Sequence, residues 1–291
     1  MKSYTKVYWL YALSPLHVGV GQGLGFIDLP IVREKATNWP LIPGSAIKGV
    51  WRDQFTSKNI SDVNVIFGQD GDTESTAGSI VISDAKIAFL PVRSLFGTFA
   101  YVTSPLALKR MLRDLSLTIN NSFVAPNTDK NKALIVKDSI LRYETSNTVY
   151  LEDLDLVSEE SQELTILVNY LAESIFAQDK DWQNIFKERV LVVSDNVFDY
   201  LTVHATQVVA RTKIDSSTNT VAPGALWYEE SLPAETILMG LLWCDRVLKA
   251  DKTPKSLLDL YFNAPFMCQI GGNETTGSGR VKCVFTGGKE V

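Results

Sequence analysis

The sequence predicts an α+β fold, one body with insertions, and three observations carry that reading. Segments of strand-like alternation and segments of helical spacing interleave along all 291 residues. No internal repeat and no linker long enough to separate two domains interrupts them. Hydrophobic residues make up 45% of the chain, which is ordinary for a folded protein with a large core.

The elements follow in order. "TKVYWLYAL" is an alternating aromatic strand that ends at Ser14-Pro15 and delivers the loop "GVGQGLGFIDLPIVRE". In that loop Gly19, Gly21, Gly23 and Gly25 fall at every second position, and one carboxylate, Asp28, sits between Ile27 and Leu29. In "PGSAIKGVWRDQF", Ile47, Val50, Trp51 and Phe55 have helical spacing, Pro43-Gly44-Ser45 is the start signal, and Lys48 and Arg52 share the other face. "SIVISDAKIAFLPV" reads as a strand. "TSPLALKRMLRDL" reads as a helix capped by Ser104 with Pro105 at its first position. Glu159, Glu160 and Glu163 suit the first turn of a helix whose core stripe is Leu164, Leu167, Val168, Leu171 and Ile175. From Arg189 onward the chain becomes strand-rich. "VVARTKIDSSTNTVAPGALWYEE" reads as a long hairpin around a polar tip, and "ETILMGLLWCD" as its continuation. A short helix around "SLLDLYF" precedes "FMCQIGGNETTGSGRVKCVF", a glycine-rich loop opening into a final strand.

Composition excludes several classes of function. No apolar run reaches membrane-spanning length, and the aromatic, charge-punctuated N-terminus is unlike a signal peptide, so a cytoplasmic protein without membrane contact is expected. Cys244, Cys268 and Cys283 lack CxxC spacing, which argues for reduced, mostly buried thiols. The net charge of -5 has the wrong sign for gripping naked nucleic acid with the whole surface. Such a partner needs a local patch: Lys48 with Arg52, the run Lys109, Arg110 and Arg113, Arg211 with Lys213, or Arg280 with Lys282. Acids concentrate in "DGDTE" and "LEDLDLVSEESQE".

Familiar motifs fail. The opening glycines never give GxGxxG, and "GSAIKG" and "GNETTG" are followed by Val50 and Ser278 where a P-loop needs lysine. GxSxG and HExxH are absent, and two histidines, His17 and His204, are too few for a histidine-rich metal site. What remains is glycine loops suited to anion binding, a lone acid and scattered bases. From the residues alone, Asp28 is either a turn carboxylate satisfied by backbone, the commoner case, or an acid with a chemical role. His17 is in the same way a hydrogen-bonding histidine or a proton carrier.

The succession "LSPLHVGVGQGLGFIDLPIVREKATNWPLIPGSAIKGVWRD", "TSPLALKRMLRD", "GALWYEESLP" and "QIGGNETTGSGRVKC" closely resembles the backbone subunit of the type III-B CRISPR effector, the Cmr complex, a family of the RAMP superfamily. The blocks occur in family order and span nearly the whole chain. The resemblance implies a ferredoxin-like, RRM-type core (the palm) over residues 1–291, with an inserted finger region. It also implies a protruding β-hairpin thumb at about 207–232 and a C-terminal glycine-rich loop at 271–280. It implies several copies stacked along a crRNA, paired with a target RNA and accompanied by other Cmr subunits. His17, Ser45, Lys48, Arg52, Gly271, Gly272, Gly277, Gly279 and Arg280 would then lie near the guide, with backbone amides and cations contacting phosphates. Lys213, Leu226, Trp227 and Tyr228 would belong to the thumb, which displaces one nucleotide per subunit. Asp28 would serve metal-dependent cleavage of the target at six-nucleotide intervals, as a ligand of Mg2+ or Mn2+ or as acceptor of the 2'-hydroxyl proton. Glu229 and Glu230 are weaker candidates for assisting, read first as ordinary strand-end acids. A binding-only scaffold of the same assembly and the equivalent type III-A subunit are the alternatives; the "GALWYEESLP" and "TSPLALKRMLRD" blocks favour III-B.

Overall fold

The aromatic strand Tyr4–Ala12 is buried along its whole length in the computed structural model, because both of its faces are covered. The structure describes every residue except 1–2, 24, 70–75, 121–122, 144–145, 216 and 249–250, and the backbone only of Pro223. The acidic stretch "DGDTE" lies outside the described residues.

Alternation along the first strand sends Val7, Trp9 and Tyr11 to one side and Tyr8, Leu10 and Ala12 to the other. The first side packs on helices Pro105–Ser116, Gln162–Ile175 and Lys180–Arg189 through Leu108, Leu167 and Phe186. The second packs on helices Gly44–Ser57, Asp195–His204 and Pro254–Tyr261 through Trp51, Phe198 and Leu258. A mixed sheet thus lies between two helical layers. Its order is Phe266–Gln269, Arg280–Glu290, Tyr4–Ala12, Ile237–Cys244, Ala85–Arg93, Phe99–Thr103, Val190–Val193, Lys132–Ile135, Leu154–Glu160, Thr148–Leu151. Two pairs are parallel, Phe99–Thr103 with Val190–Val193 and Lys132–Ile135 with Leu154–Glu160. Trp51 is the hub of the second layer, with the rings of Tyr8, Phe262, Phe266 and Phe285 at 5.3–5.8 Å. No helix among the described residues is long and apolar enough to cross a membrane.

Most helices start where the sequence places a cap. Ser104 Oγ accepts from Ala107 N with Pro105 at the first position, and Ser161 Oγ accepts from Leu164 N. The Gly44–Ser57 helix is capped from elsewhere: Gly44 N donates to Asp84 Oδ1 at 2.8 Å. Asp84 sits at a break that divides "SIVISDAKIAFLPV" into strands Ile80–Ile82 and Ala85–Arg93. Three expectations need correction. Glu159 and Glu160 end strand Leu154–Glu160, and only Glu163 enters the first helical turn, because Ser161 is the cap. "ETILMGLLWCD" does not extend the hairpin; as Ile237–Cys244 it enters the main sheet beside the first strand, where its apolar residues find burial on both faces. Within the region read as strand-rich, Asp195–His204 is helical despite its β-branched residues, since Phe198 and Leu201 fall on one buried stripe.

One half-buried acid makes stability depend on pH. Glu235 follows the hairpin; its N donates to Ala12 O, and its carboxylate accepts from the hydroxyls of the buried Tyr11 and Tyr101. Burial pushes this carboxyl up to about 7. Its folded-state value lies above the unfolded one, so its stabilising contribution is complete below the ordinary value of 4.5 and is lost as pH rises through about 7. Glu235→Gln, which keeps an acceptor for the tyrosines, should therefore gain several degrees of Tm over wild type between pH 5 and pH 8 in thermal unfolding scans.

Candidate functional site

Strand Tyr4–Ala12 ends on a loop that runs back against the base of a two-stranded hairpin, Gln207–Asp215 paired with Thr220–Ser231. The glycines and Asp28 lie in this contact. Gly23 N donates to Asp28 O at 2.8 Å and closes a tight turn; a Cβ on Gly23 would meet Ile27 O at 2.7 Å, so the turn requires glycine. Leu29 N donates to Tyr228 O and Glu230 N to Leu29 O, both at 3.0 Å, which fixes the loop on the second arm like a short extra strand. Asp28 Oδ2 then accepts from Tyr228 N at 2.7 Å. The carboxylate is exposed and lines an open pocket with Gln22, Gly23, Leu226 and Trp227. Beside it the exposed ring of Phe26 stacks on Tyr228 with centroids 5.7 Å apart.

Glu229 and Glu230 are buried and act as braces. Glu230 receives Ile31 N at 3.1 Å, Thr206 Oγ1 at 3.0 Å and the guanidinium of Arg33, tying the Asp28 loop to the hairpin base. Glu229 receives Asn273 Nδ2 at 2.6 Å and Arg211 Nη2 at 3.3 Å, tying the first hairpin arm to the glycine-rich loop. This is the strand-end role read first for both, with the addition that each joins three segments. His17 is a third junction. Its Nδ1 donates to Glu230 O at 2.6 Å and its carbonyl accepts from Gly272 N at 2.9 Å.

The glycine-rich loop is folded mainly on itself and on the first strand's end. The amides of Gly272 and Gly279 donate to His17 O and Pro15 O, and that of Gly277 to Glu274 O. Most of the loop is exposed, and at its end the exposed Arg280 lines a shallow groove with Met267, Gln269, Glu274 and Gly277. Gly271 has φ +85°, and a Cβ there would stand 2.1 Å from His17 O. Gly271→Ala should therefore cost about 2 kcal/mol or more, read as a lowered urea midpoint, because strain and a backbone clash add.

Ser45, Lys48 and Arg52 lie together on one face of the first helix, lining a groove opposite Phe67–Gly68, Thr76–Gly78 and Ile80–Ile82. Gln54 of the same helix donates to Met267 O at 2.6 Å, so the helix also touches the edge strand that lines the Arg280 groove, whereas Ile80–Ile82 of its own groove pairs with Ile237–Cys244. Lys213 sits on the first hairpin arm at a register shift between Thr212 and Ile214, and Leu226, Trp227 and Tyr228 face Thr212, Arg211 and Ala210 across the hairpin. The described chain therefore brings Asp28, His17, Tyr228 and Gly271–Gly272 into one hydrogen-bonded unit, with Ser45, Lys48 and Arg52 in a separate groove. Of the other basic candidates, Arg110 is taken up by a bidentate pair with Glu34, which holds the Glu34 carboxyl down at about 2, and Arg211 by Glu229. Sequence reasoning missed Phe26, Arg33 and Asn273. Phe26 had a signal, an aromatic residue set among glycines.

The chain matches the RAMP superfamily over residues 9–282. It belongs to that superfamily. It is 36% identical over 297 residues to the CRISPR system Cmr endoribonuclease Cmr4 of Pyrococcus furiosus, covering 100% of this chain and 97% of the relative. Among solved structures, oligomeric Cmr4 from Pyrococcus furiosus superposes with a TM-score of 0.73 at 30% identity, covering 100% of this chain and 99% of the other. A chain of the type III-B Cmr-beta complex bound to cognate target RNA superposes equally well, TM-score 0.73 over 97% of this chain and 96% of that one, at 20% identity, and so shares the fold.

Proposed function

We propose that the protein is the repeating backbone subunit of a type III-B CRISPR effector, working in the cytoplasm as a crRNA-guided endoribonuclease. The observation that carries this is the exposed Asp28 carboxylate, clamped by Tyr228 N at the root of a projecting hairpin, in a chain similar over its full length to a Cmr endoribonuclease. In this reading the sheet and the Gly44–Ser57 helix form a ferredoxin-like palm, the Gln207–Ser231 hairpin is the thumb, and Ser45, Lys48, Arg52 and Arg280 hold guide phosphates. Base pairing supplies sequence specificity, so the grip needs only backbone contacts and tolerates an acidic chain. Copies repeat along the guide, and each cuts the target once, at six-nucleotide spacing.

The chemistry follows from one carboxylate beside a strand held open. The 2'-oxygen attacks the adjacent phosphorus as the P–O5' bond breaks, Asp28 takes the 2'-hydroxyl proton, and the leaving 5'-oxygen is protonated by water. The products are a 2',3'-cyclic phosphate and a 5'-hydroxyl. Among the described residues no three His, Cys, Asp or Glu side chains converge, so an ion here would be held by Asp28 with water and substrate oxygens, a donor set that suits Mg2+ or Mn2+. When bound, such an ion would neutralise charge developing on the phosphate. Assembly is tested by size exclusion with and without crRNA. A guide-length-dependent shift to a larger species is expected, and a monomer in both runs would overturn the proposal.

A further inference from the structure

The Phe26–Tyr228 stack has no structural purpose visible in the fold. Phe26 is 86% exposed, the most exposed large hydrophobic side chain among the described residues, and it stands on the same turn as Asp28. Leaving a phenyl ring in water is unfavourable unless something covers it. One side of the ring faces Tyr228 at a 24° interplanar angle, and its high exposure leaves the other side open. The platform is also pre-organised. Tyr228 N holds Asp28 Oδ2, Tyr228 O receives Leu29 N, and Gly23 N closes the turn on Asp28 O, so the carboxylate and the backbone that carries both rings are fixed to one another.

We propose that Phe26 is a positioning residue for strand cleavage: the base flanking the scissile phosphodiester stacks on its open face, continuing the Tyr228–Phe26 stack and setting the backbone over Asp28. This rests on the endoribonuclease reading above. Stacking tolerates any base, as a site that reads no sequence requires, since every base has a π-face. In-line attack needs the 2'-oxygen, phosphorus and 5'-oxygen aligned, and A-form stacking of neighbouring nucleotides prevents that alignment. A ring that captures one base outside the helix removes the obstacle at the place where the carboxylate waits.

The test uses the reconstituted complex with its crRNA and a target carrying 2-aminopurine on either side of the cleaved phosphodiester. In wild type, one of the two positions is quenched on binding. Phe26→Ala should restore that fluorescence and slow cleavage of fully bound target in single turnover about tenfold or more, with assembly unchanged and target affinity lowered by about tenfold at most. Phe26→Trp should keep both quenching and rate. Phe26→Leu, which preserves apolar bulk but offers no ring, should behave like the alanine variant. Wild-type cleavage by Phe26→Ala, full activity in Phe26→Leu, or loss of assembly in Phe26→Ala would each overturn the proposal, the last by giving the ring to a second copy of the chain. Asp28→Ala separates the two readings. It should slow cleavage by about 10^2-fold or more while leaving 2-aminopurine quenched; unimpaired cleavage there would overturn the role of Asp28 and with it the positioning of the strand over Asp28, whereas wild-type cleavage by Phe26→Ala overturns the positioning alone.

Discussion

Asp28→Ala is expected to slow target cleavage by about 10^2 to 10^4-fold, the range in which a positioned proton acceptor contributes, while folding, assembly and target affinity stay at the wild-type level. The separation follows from the geometry. Asp28 is exposed, and the hydrogen bond its side chain accepts from Tyr228 N closes a contact already secured by the backbone pairs of Leu29 with Tyr228 and Glu230. Asp28→Asn sharpens the result, because its amide oxygen can still accept from Tyr228 N. An asparagine variant as inactive as the alanine variant places the effect in the charge and proton affinity of the carboxylate. Single-turnover rates on a labelled RNA, with affinity measured separately, read both quantities.

Glu230→Ala is expected to be among the most damaging single changes to stability in this region, about 3 kcal/mol, because it breaks a buried ion pair and strands a backbone donor at once. The carboxylate is nearly buried and receives Arg33, Ile31 N and Thr206; its removal leaves Ile31 N without its acceptor and the Arg33 guanidinium without its counter-ion, while Arg33 still donates to Asn38 O and Thr206 to Val203 O. Denaturant unfolding should show a lower midpoint with an unchanged slope. Activity should fall as well, since two of these bonds, from Ile31 N and Arg33, hold the Asp28 loop on the hairpin. Restoring Tm with a stabilising substitution elsewhere would not restore the cleavage rate, which distinguishes this brace from a residue that only supports the core.

Much of this was legible in the sequence, and the reasons differ by element. The first strand, the helices behind Ser104 and Trp51, the long hairpin and the terminal glycine loop all carry local signals: alternation, caps, helical spacing, turn residues. Elements whose state is decided by distant partners did not. Asp195–His204 is a helix because Phe198 and Leu201 find a buried stripe, and Ile237–Cys244 leaves the hairpin because the first strand offers it a fully buried place. The site was legible only through resemblance. Nothing within "GFIDLP" shows that Asp28 will meet Tyr228, 200 residues away in sequence, nor that Glu229 and Glu230 will turn inward to brace the loops. The outward role of the glycine-rich loop was also hidden, since only the fold reveals that several of its amides are already engaged by the first strand's end and by the loop's own turn.

The most direct measurement is single-nucleotide mapping of a labelled complementary RNA cut by the reconstituted complex in Mg2+ or Mn2+, wild type beside Asp28→Asn. Products six nucleotides apart that require guide complementarity and vanish in the variant are expected. The same ladder from both proteins, or target bound but uncut by wild type, would contradict a catalytic role for Asp28 and leave the chain as the scaffold of its complex.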